Sequence, residues 1–247
     1  MKFIQLFAAG LMVAWVCNAS DEYDGEPFSR ALEKKAEQGD AESQLKLSKT
    51  YMFAKGVQRD YEKCAFWCKK AANQNLAEAQ YGLGILYEHG QGVEQDPKKA
   101  AEWVQKAAEQ GFDSAQSQLG YYYFTEMGVP RDLDKAIYWL RKASQQNDSG
   151  AMWLLGTLLI AQDMFKAKNE KGLKSRHDEA LKWFKKSAEA GNPQGQSWLG
   201  SAYHSGEIVG KDIELAKKWL RKAAEQGDDT AKNLLNTIAE EETSKPK

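Results

Sequence analysis

The residues with the most chemistry to offer are few: Cys64 and Cys68, four apart, and three histidines, His89, His177 and His204. A cysteine pair can serve as a disulfide, as part of a metal site, or as two buried thiols. A metal site needs further ligands at matched spacing, and neither an H-x-x-x-H pair nor a cysteine cluster supplies them. No nucleophile stands in a strand–turn–helix elbow or a phosphate-binding loop. The sequence therefore predicts no catalytic residue, no metal and no cofactor.

The elements around these residues repeat. Trp67, Trp103 and Trp139 are 36 residues apart, Trp183 follows after 44, and Trp219 after another 36. The same steps align Leu47, Leu83, Leu119, Leu155, Leu199 and Leu235, with Ser48, Gly84, Gly120, Gly156, Gly200 and Asn236 beside them. Self-similarity at this period marks a solenoid, in which each unit buries its apolar face only against its neighbours. Within a unit, Ala79, Leu83 and Tyr87 follow i, i+4, i+8, and Ala100, Trp103 and Ala107 follow i, i+3, i+7, so each repeat reads as two helices. The expected fold is all-α, a superhelical solenoid of five repeats at residues 36–71, 72–107, 108–143, 144–187 and 188–223.

Punctuation supports these boundaries. Gly39, Asn75, Gly111, Asn147, Gly191 and Gly227 end the second helices, as glycine and asparagine readily take the left-handed conformation of a helix C-terminus. Asp40, Asp148, Asn192 and Asp228 suit N-caps of first helices; Asp60, Asp96, Asp132 and Asp212 suit those of second helices, with Pro97 at the first helical position. Small residues beside the core leucines let paired helices approach, and the tryptophans are expected to fill the space between repeats.

The ends differ. Residues 1–19 carry Lys2, an apolar run too short to span a bilayer, and small residues before Ser20, which predicts a cleavable signal peptide and a periplasmic or secreted chain. A lipoprotein anchor at Cys17 fits less well, because bulky Trp15 and Val16 precede it. Residues 20–27 are acidic and apolar-poor, predicting a disordered lead-in. Residues 28–38 read as half a repeat and 224–239 as a terminal cap helix, with a disordered tail at 240–247. The formal charge of −1 becomes −2 once Lys2 is lost with the signal, so net charge offers no argument for nucleic acid. The mature chain holds no integral membrane segment by the same hydropathy reading.

A-x-x-x-L-G-x-x-Y followed by G-V-x-x-D-x-x-K-A-x-x-W-x-x-K-A-A resembles the Sel1-like repeat, a relative of the tetratricopeptide repeat, over roughly residues 36–239. The resemblance implies an α/α superhelix with first helices on its concave side. It also implies a non-catalytic role in binding another protein or peptide, as an adaptor or regulator or as a periplasmic immunity protein that neutralises a secreted effector. Cysteine-rich members have been linked to β-lactam binding, so a cell-wall hydrolase is a further alternative. Those members staple each repeat with a disulfide. Here Cys64 and Cys68 align with Ala100 and Val104 and with Ala136 and Leu140, which favours two buried thiols. A disulfide between them is the alternative, strained by Cα atoms near the limit of about 6–7 Å.

The face opposite the buried stripe of the first helices ought to be polar if solvated. Instead it holds Leu45, Met52 and Phe53, then Tyr81 and Ile85, then Tyr121 and Phe124, then Trp153 and Ile160, flanked by Lys49, Glu88, His89 and His204. Stacked repeats would align these as an aromatic protein-binding groove. Packing against loops or the next repeat is the competing expectation, above all for the apolar stretch 152–160. Repeat four also carries an insert at about 162–177, read as a protruding basic loop with Lys166, Lys168, Lys171, Lys174 and Arg176, a possible second contact for an acidic partner.

Overall fold

The structure, a computed structural model, describes residues 27–166 and 170–243, and side chains outside 162–176. The expected signal peptide, most of the lead-in and the last four residues lie outside the described residues. These form twelve helices and no strand: α1 (Arg30–Glu37), α2 (Ala41–Phe53), α3 (Tyr61–Asn73), α4 (Ala77–His89), α5 (Pro97–Glu109), α6 (Asp113–Thr125), α7 (Leu133–Gln145), α8 (Ser149–Lys166), α9 (Glu170–Glu189), α10 (Pro193–Ser205), α11 (Ile213–Glu225) and α12 (Asp229–Thr243). Two compact units divide inside α7, between Trp139 and Leu140.

The local signals act as their chemistry requires. Asp40, Asp148, Asn192 and Asp228 each accept a backbone N–H three residues on, at 2.8, 2.8, 2.8 and 2.7 Å. Asp60, Asp132 and Asp212 do the same, and Asp96 accepts from both Lys98 and Lys99. Every predicted turn residue, from Gly39 at φ 98° to Asn147 at φ 69°, takes a positive φ. Asp40, Asp60 and Asp96 titrate below the usual carboxylate range, Asp40 chiefly through its hydrogen bonds with Ser43, Asp60 through Lys63 N–H and Asp96 through Lys99 N–H.

In the first unit, each of α1 to α5 packs on the helix that follows it; in the second, each of α8 to α11 does the same. Five of the six leucines of the predicted register, Leu47, Leu83, Leu119, Leu155 and Leu199, are buried, and Leu235 in the terminal helix is half-buried. A Cβ at Gly84 would lie 2.6 Å from Val104 Cγ2, and one at Gly200 would lie 2.6 Å from Leu220 Cγ, so small residues do set the helix separation. Ser48, which replaces that glycine, satisfies its buried hydroxyl by donating to Cys64 C=O at 2.8 Å.

Pairs of glutamines tie neighbouring turns of the solenoid together at three places. Gln44 Nε2 donates to Ala36 C=O at 3.0 Å, and Gln74 Nε2 donates to Gln44 Oε1 at 2.8 Å and to Gly39 C=O at 2.9 Å. Gln80 with Gln110, and Gln196 with Gln226, repeat the arrangement. Each buried amide is thereby paired, which removes the penalty of desolvating it.

Several expectations are corrected. The insert in repeat four is helical: α8 runs through Lys166 and α9 begins at Glu170, so only 167–169 lie outside. Residues 240–243 continue α12 instead of starting a tail. Of the tryptophans, Trp67 and Trp183 are buried, whereas Trp103, Trp139 and Trp219 are half-buried. A lysine three residues on covers Trp67, Trp103, Trp183 and Trp219, with Nζ 4.0 to 5.0 Å from the ring centre. The covered indoles gain a cation–π contact at the solvent edge.

Candidate functional site

The residues expected to form an exposed aromatic strip separate into two sets. Met52, Tyr81, Ile85 and Tyr121 are 3%, 3%, 5% and 6% exposed, so the strip is core along much of its length. The cause is stacking: α4 packs on both α3 and α5, and the turn leading into α6 lays Phe112 on Tyr81 with ring centres 5.4 Å apart. Lys49, Phe53, Glu88, His89 and Phe124 stay half-buried in the first unit, as do Trp153, Ile160 and His204 in the second. In α8, Met152, Leu154, Leu155, Leu158 and Leu159 are buried, the outcome expected of a stretch apolar nearly all round.

Polar or charged partners hold four members of this half-buried set. Lys49 of α2 pairs with Glu78 of α4. His204 Nε2 of α10 lies 3.2 Å from Glu241 Oε2 of α12. The Arg131 guanidinium lies 5.7 Å from the centre of the Phe124 ring. Glu88 reaches from α4 to α6, where its Oε2 accepts from Tyr122 O–H at 2.6 Å and from Gln118 Nε2 at 3.1 Å.

The Glu88 group has the strongest electrostatic character. Tyr122 is fully buried, and burial followed by the Glu88 charge holds its hydroxyl well above the usual tyrosine range. Burial and Glu88 raise Tyr121 as well. Sequence reasoning found Glu88 but missed Gln118 and Tyr122. A signal existed: Tyr122 stands in register with Thr50, Leu86, Leu158 and Ala202, so it is the one aromatic, and with Thr50 one of two hydroxyls, at a core position.

Cys64 and Cys68 are free, buried thiols, so the disulfide alternative is not realised. Cys64 Sγ lies 3.3 Å from Ser48 Oγ and Cys68 Sγ donates to Ala79 C=O at 3.3 Å. Burial pushes the Cys64 thiol up to about 12 and raises Cys68 further above its ordinary value. Among the described residues no group of three or more His, Cys, Asp or Glu could hold a metal ion. Of the basic residues in the insert, Lys166, Lys171, Lys174 and Arg176 lie on helix, and Lys168 falls outside the described residues. Among the described side chains, the most exposed large hydrophobics lie elsewhere: Phe66 of α3 and Tyr138 of α7, each edge-on to the tryptophan that follows it.

Comparison with known proteins adds the following. The Sel1 repeat family model matches residues 41–76, 77–112, 113–148, 169–192 and 193–228, the fourth match being shortened at the insert. The crystal structure of c5321, a protective antigen present in uropathogenic Escherichia coli strains, is 35% identical with a TM-score of 0.72 over 84% of this chain, which spans 43% of c5321. A Sel1 repeat protein from Oxalobacter formigenes is 31% identical with a TM-score of 0.73, covering 81% of this chain and 79% of its own. A putative Sel1 repeat protein from Klebsiella pneumoniae, 24% identical with a TM-score of 0.51, covers 87% and 100% and shares the fold. No curated protein matches. Paired helices at a 36-residue period, the matches to all five repeats and the likeness to two solved relatives agree: the chain belongs to the Sel1 repeat family, an all-α solenoid fold.

Proposed function

We propose that this chain is a non-catalytic protein-binding module, exported through its N-terminal segment and acting as an adaptor or regulator. The observation that carries the reading is the half-buried set Lys49, Phe53, Glu88, His89 and Phe124 on α2, α4 and α6. It mixes aromatic, acidic and basic groups on helices tied together by Lys49–Glu78 and by Glu88 with Tyr122 and Gln118. Side chains already held in place lose little rotamer freedom on binding, and aromatic anchors with a polar rim are the composition of binding hot spots. The buried members of the strip support this surface from beneath.

The test is affinity capture from envelope extract with residues 20–247, beside two variants of matched circular dichroism. Phe53→Ala/Phe124→Ala alters the first-helix face, and Phe66→Ala/Tyr138→Ala alters the exposed aromatics of the second helices. A stoichiometric partner lost only with the first variant supports the proposal. Loss only with the second moves the site to the second helices, and enzymatic turnover by the purified chain would refute the non-catalytic reading. A single tight partner encoded beside this gene would make the role that of an immunity protein.

A further inference from the structure

Glu88 is held on the first-helix face by neutral donors alone, whereas Glu78 and Glu241 have basic side chains beside them. Glu78 has Lys49 as counter-ion, and Glu241 lies 3.2 Å from His204 Nε2. Glu88 enters no ion pair among the described residues. Both of its donors, the Tyr122 hydroxyl and the Gln118 amide, are neutral, and both bond Oε2. Oε1 has no donor, yet it is not among the buried polar atoms lacking a partner, so it reaches solvent. A half-buried carboxylate with one oxygen fixed and the other open is oriented for a donor from outside.

The repeat shows that this arrangement is local. Positions matching Glu88 hold Met52, Phe124, Ile160, His204 and Glu240, and those matching Tyr122 hold Thr50, Leu86, Leu158, Ala202 and Ile238, so no other repeat sets a carboxylate against a hydroxyl of the next. Stacking of the solenoid needs neither the carboxylate nor the hydroxyl. A carboxylate with no counter-ion has the chemistry that recognises ammonium and guanidinium groups, through a charge-assisted hydrogen bond. Low dielectric strengthens that attraction relative to water.

We infer that Glu88 receives a lysine or arginine side chain of the partner; the inference rests on the first-helix binding face proposed above. The partner segment is basic at that position. Glu88 Oε1 accepts the cation while Tyr122 and Gln118 keep the carboxylate from rotating away.

The test uses random twelve-residue peptides displayed on phage, selected against residues 20–247, with the selected peptides then measured by calorimetry. Glu88→Gln retains an oxygen for the Tyr122 hydroxyl, and its melting temperature is measured alongside. The expected result is a shared lysine or arginine in the selected peptides. Its replacement by glutamine should weaken binding to the wild type about tenfold or more, the scale of a hydrogen bond to a charged group. Glu88→Gln should bind the parent peptide about tenfold more weakly and show less than about a twofold further loss with the glutamine peptide. Peptides with no shared basic residue, or equal binding by folded Glu88→Gln, would overturn the inference. If such peptides are still weakened by Phe53→Ala/Phe124→Ala, the binding face stands and the Glu88 assignment alone fails. Indifference to all these variants, or no enriched peptide, overturns both.

Discussion

Replacing Tyr122 with phenylalanine removes one oxygen atom from a side chain with no exposed surface. The ring still fills its place, so no cavity term arises and the loss is that of the 2.6 Å hydrogen bond to Glu88 Oε2. Hydrogen bonds to charged acceptors contribute about 1.5–3 kcal/mol; water can reach the half-buried carboxylate and replace part of this, which places the expected cost at about 1–2 kcal/mol. The assay is urea unfolding followed by circular dichroism, with amide exchange in α4 and α6 to localise the effect, because repeat arrays need not unfold in one step. In a Glu88→Gln background the same substitution should cost about half as much, since the acceptor is then neutral. A cost below about 0.3 kcal/mol in both backgrounds would refute the assignment of Tyr122 and Glu88 as an energetic link between repeats. Spectrophotometric titration adds a check of sign. The folded hydroxyl lies above its ordinary value of 10.0, so its stabilisation is full below that pH and is lost as pH rises through the folded value.

The remaining predictions concern the fold that carries the site. Native Cys64 and Cys68 should resist a disulfide reagent at pH 8 and react fully on denaturation, with intact mass showing two thiols, because burial holds both as neutral S–H. Gly84→Ala should destabilise by about 1–3 kcal/mol in urea unfolding, since the added methyl meets Val104 Cγ2 at 2.6 Å and Ala100 C=O at 3.1 Å. Asp60 and Asp96 lie below their ordinary value of 3.8 when folded, so their capping is intact above that pH and fades as pH falls through the folded values; Asp60→Ala/Asp96→Ala should flatten the acid limb of a melting-temperature profile.

Much of this architecture is legible in the chain because its determinants are local. Asp60 caps α3 through an N–H three residues on, and Asn75 ends its turn with its own backbone, so neither needs a distant partner to be recognised. Gly84 and Leu83 recur every 36 residues because the helix pair is the unit of packing, and the period reports that packing directly. The glutamine pairing was also available, Gln44, Gln80 and Gln116 being in register with one another. A polar residue at a repeated position reads as solvated until its partner, Gln74 or Gln110, is placed beside it.

The insert and the first-helix face needed more than local rules. Helical periodicity assigns Tyr81 to the face away from its own core, yet burial depends on what the following repeat delivers, and Phe112 covers it. Charge density in the insert reads as a solvated loop, whereas the structure extends α8 and α9 into it. Sequence alone determined the repeat, its caps and most of its core leucines, all set by contacts within a few residues or by periodicity. Tertiary structure decided which aromatics are surface and which are core, and brought Glu88 to Tyr122 and Gln118 some thirty residues on, because those outcomes depend on how one repeat meets the next.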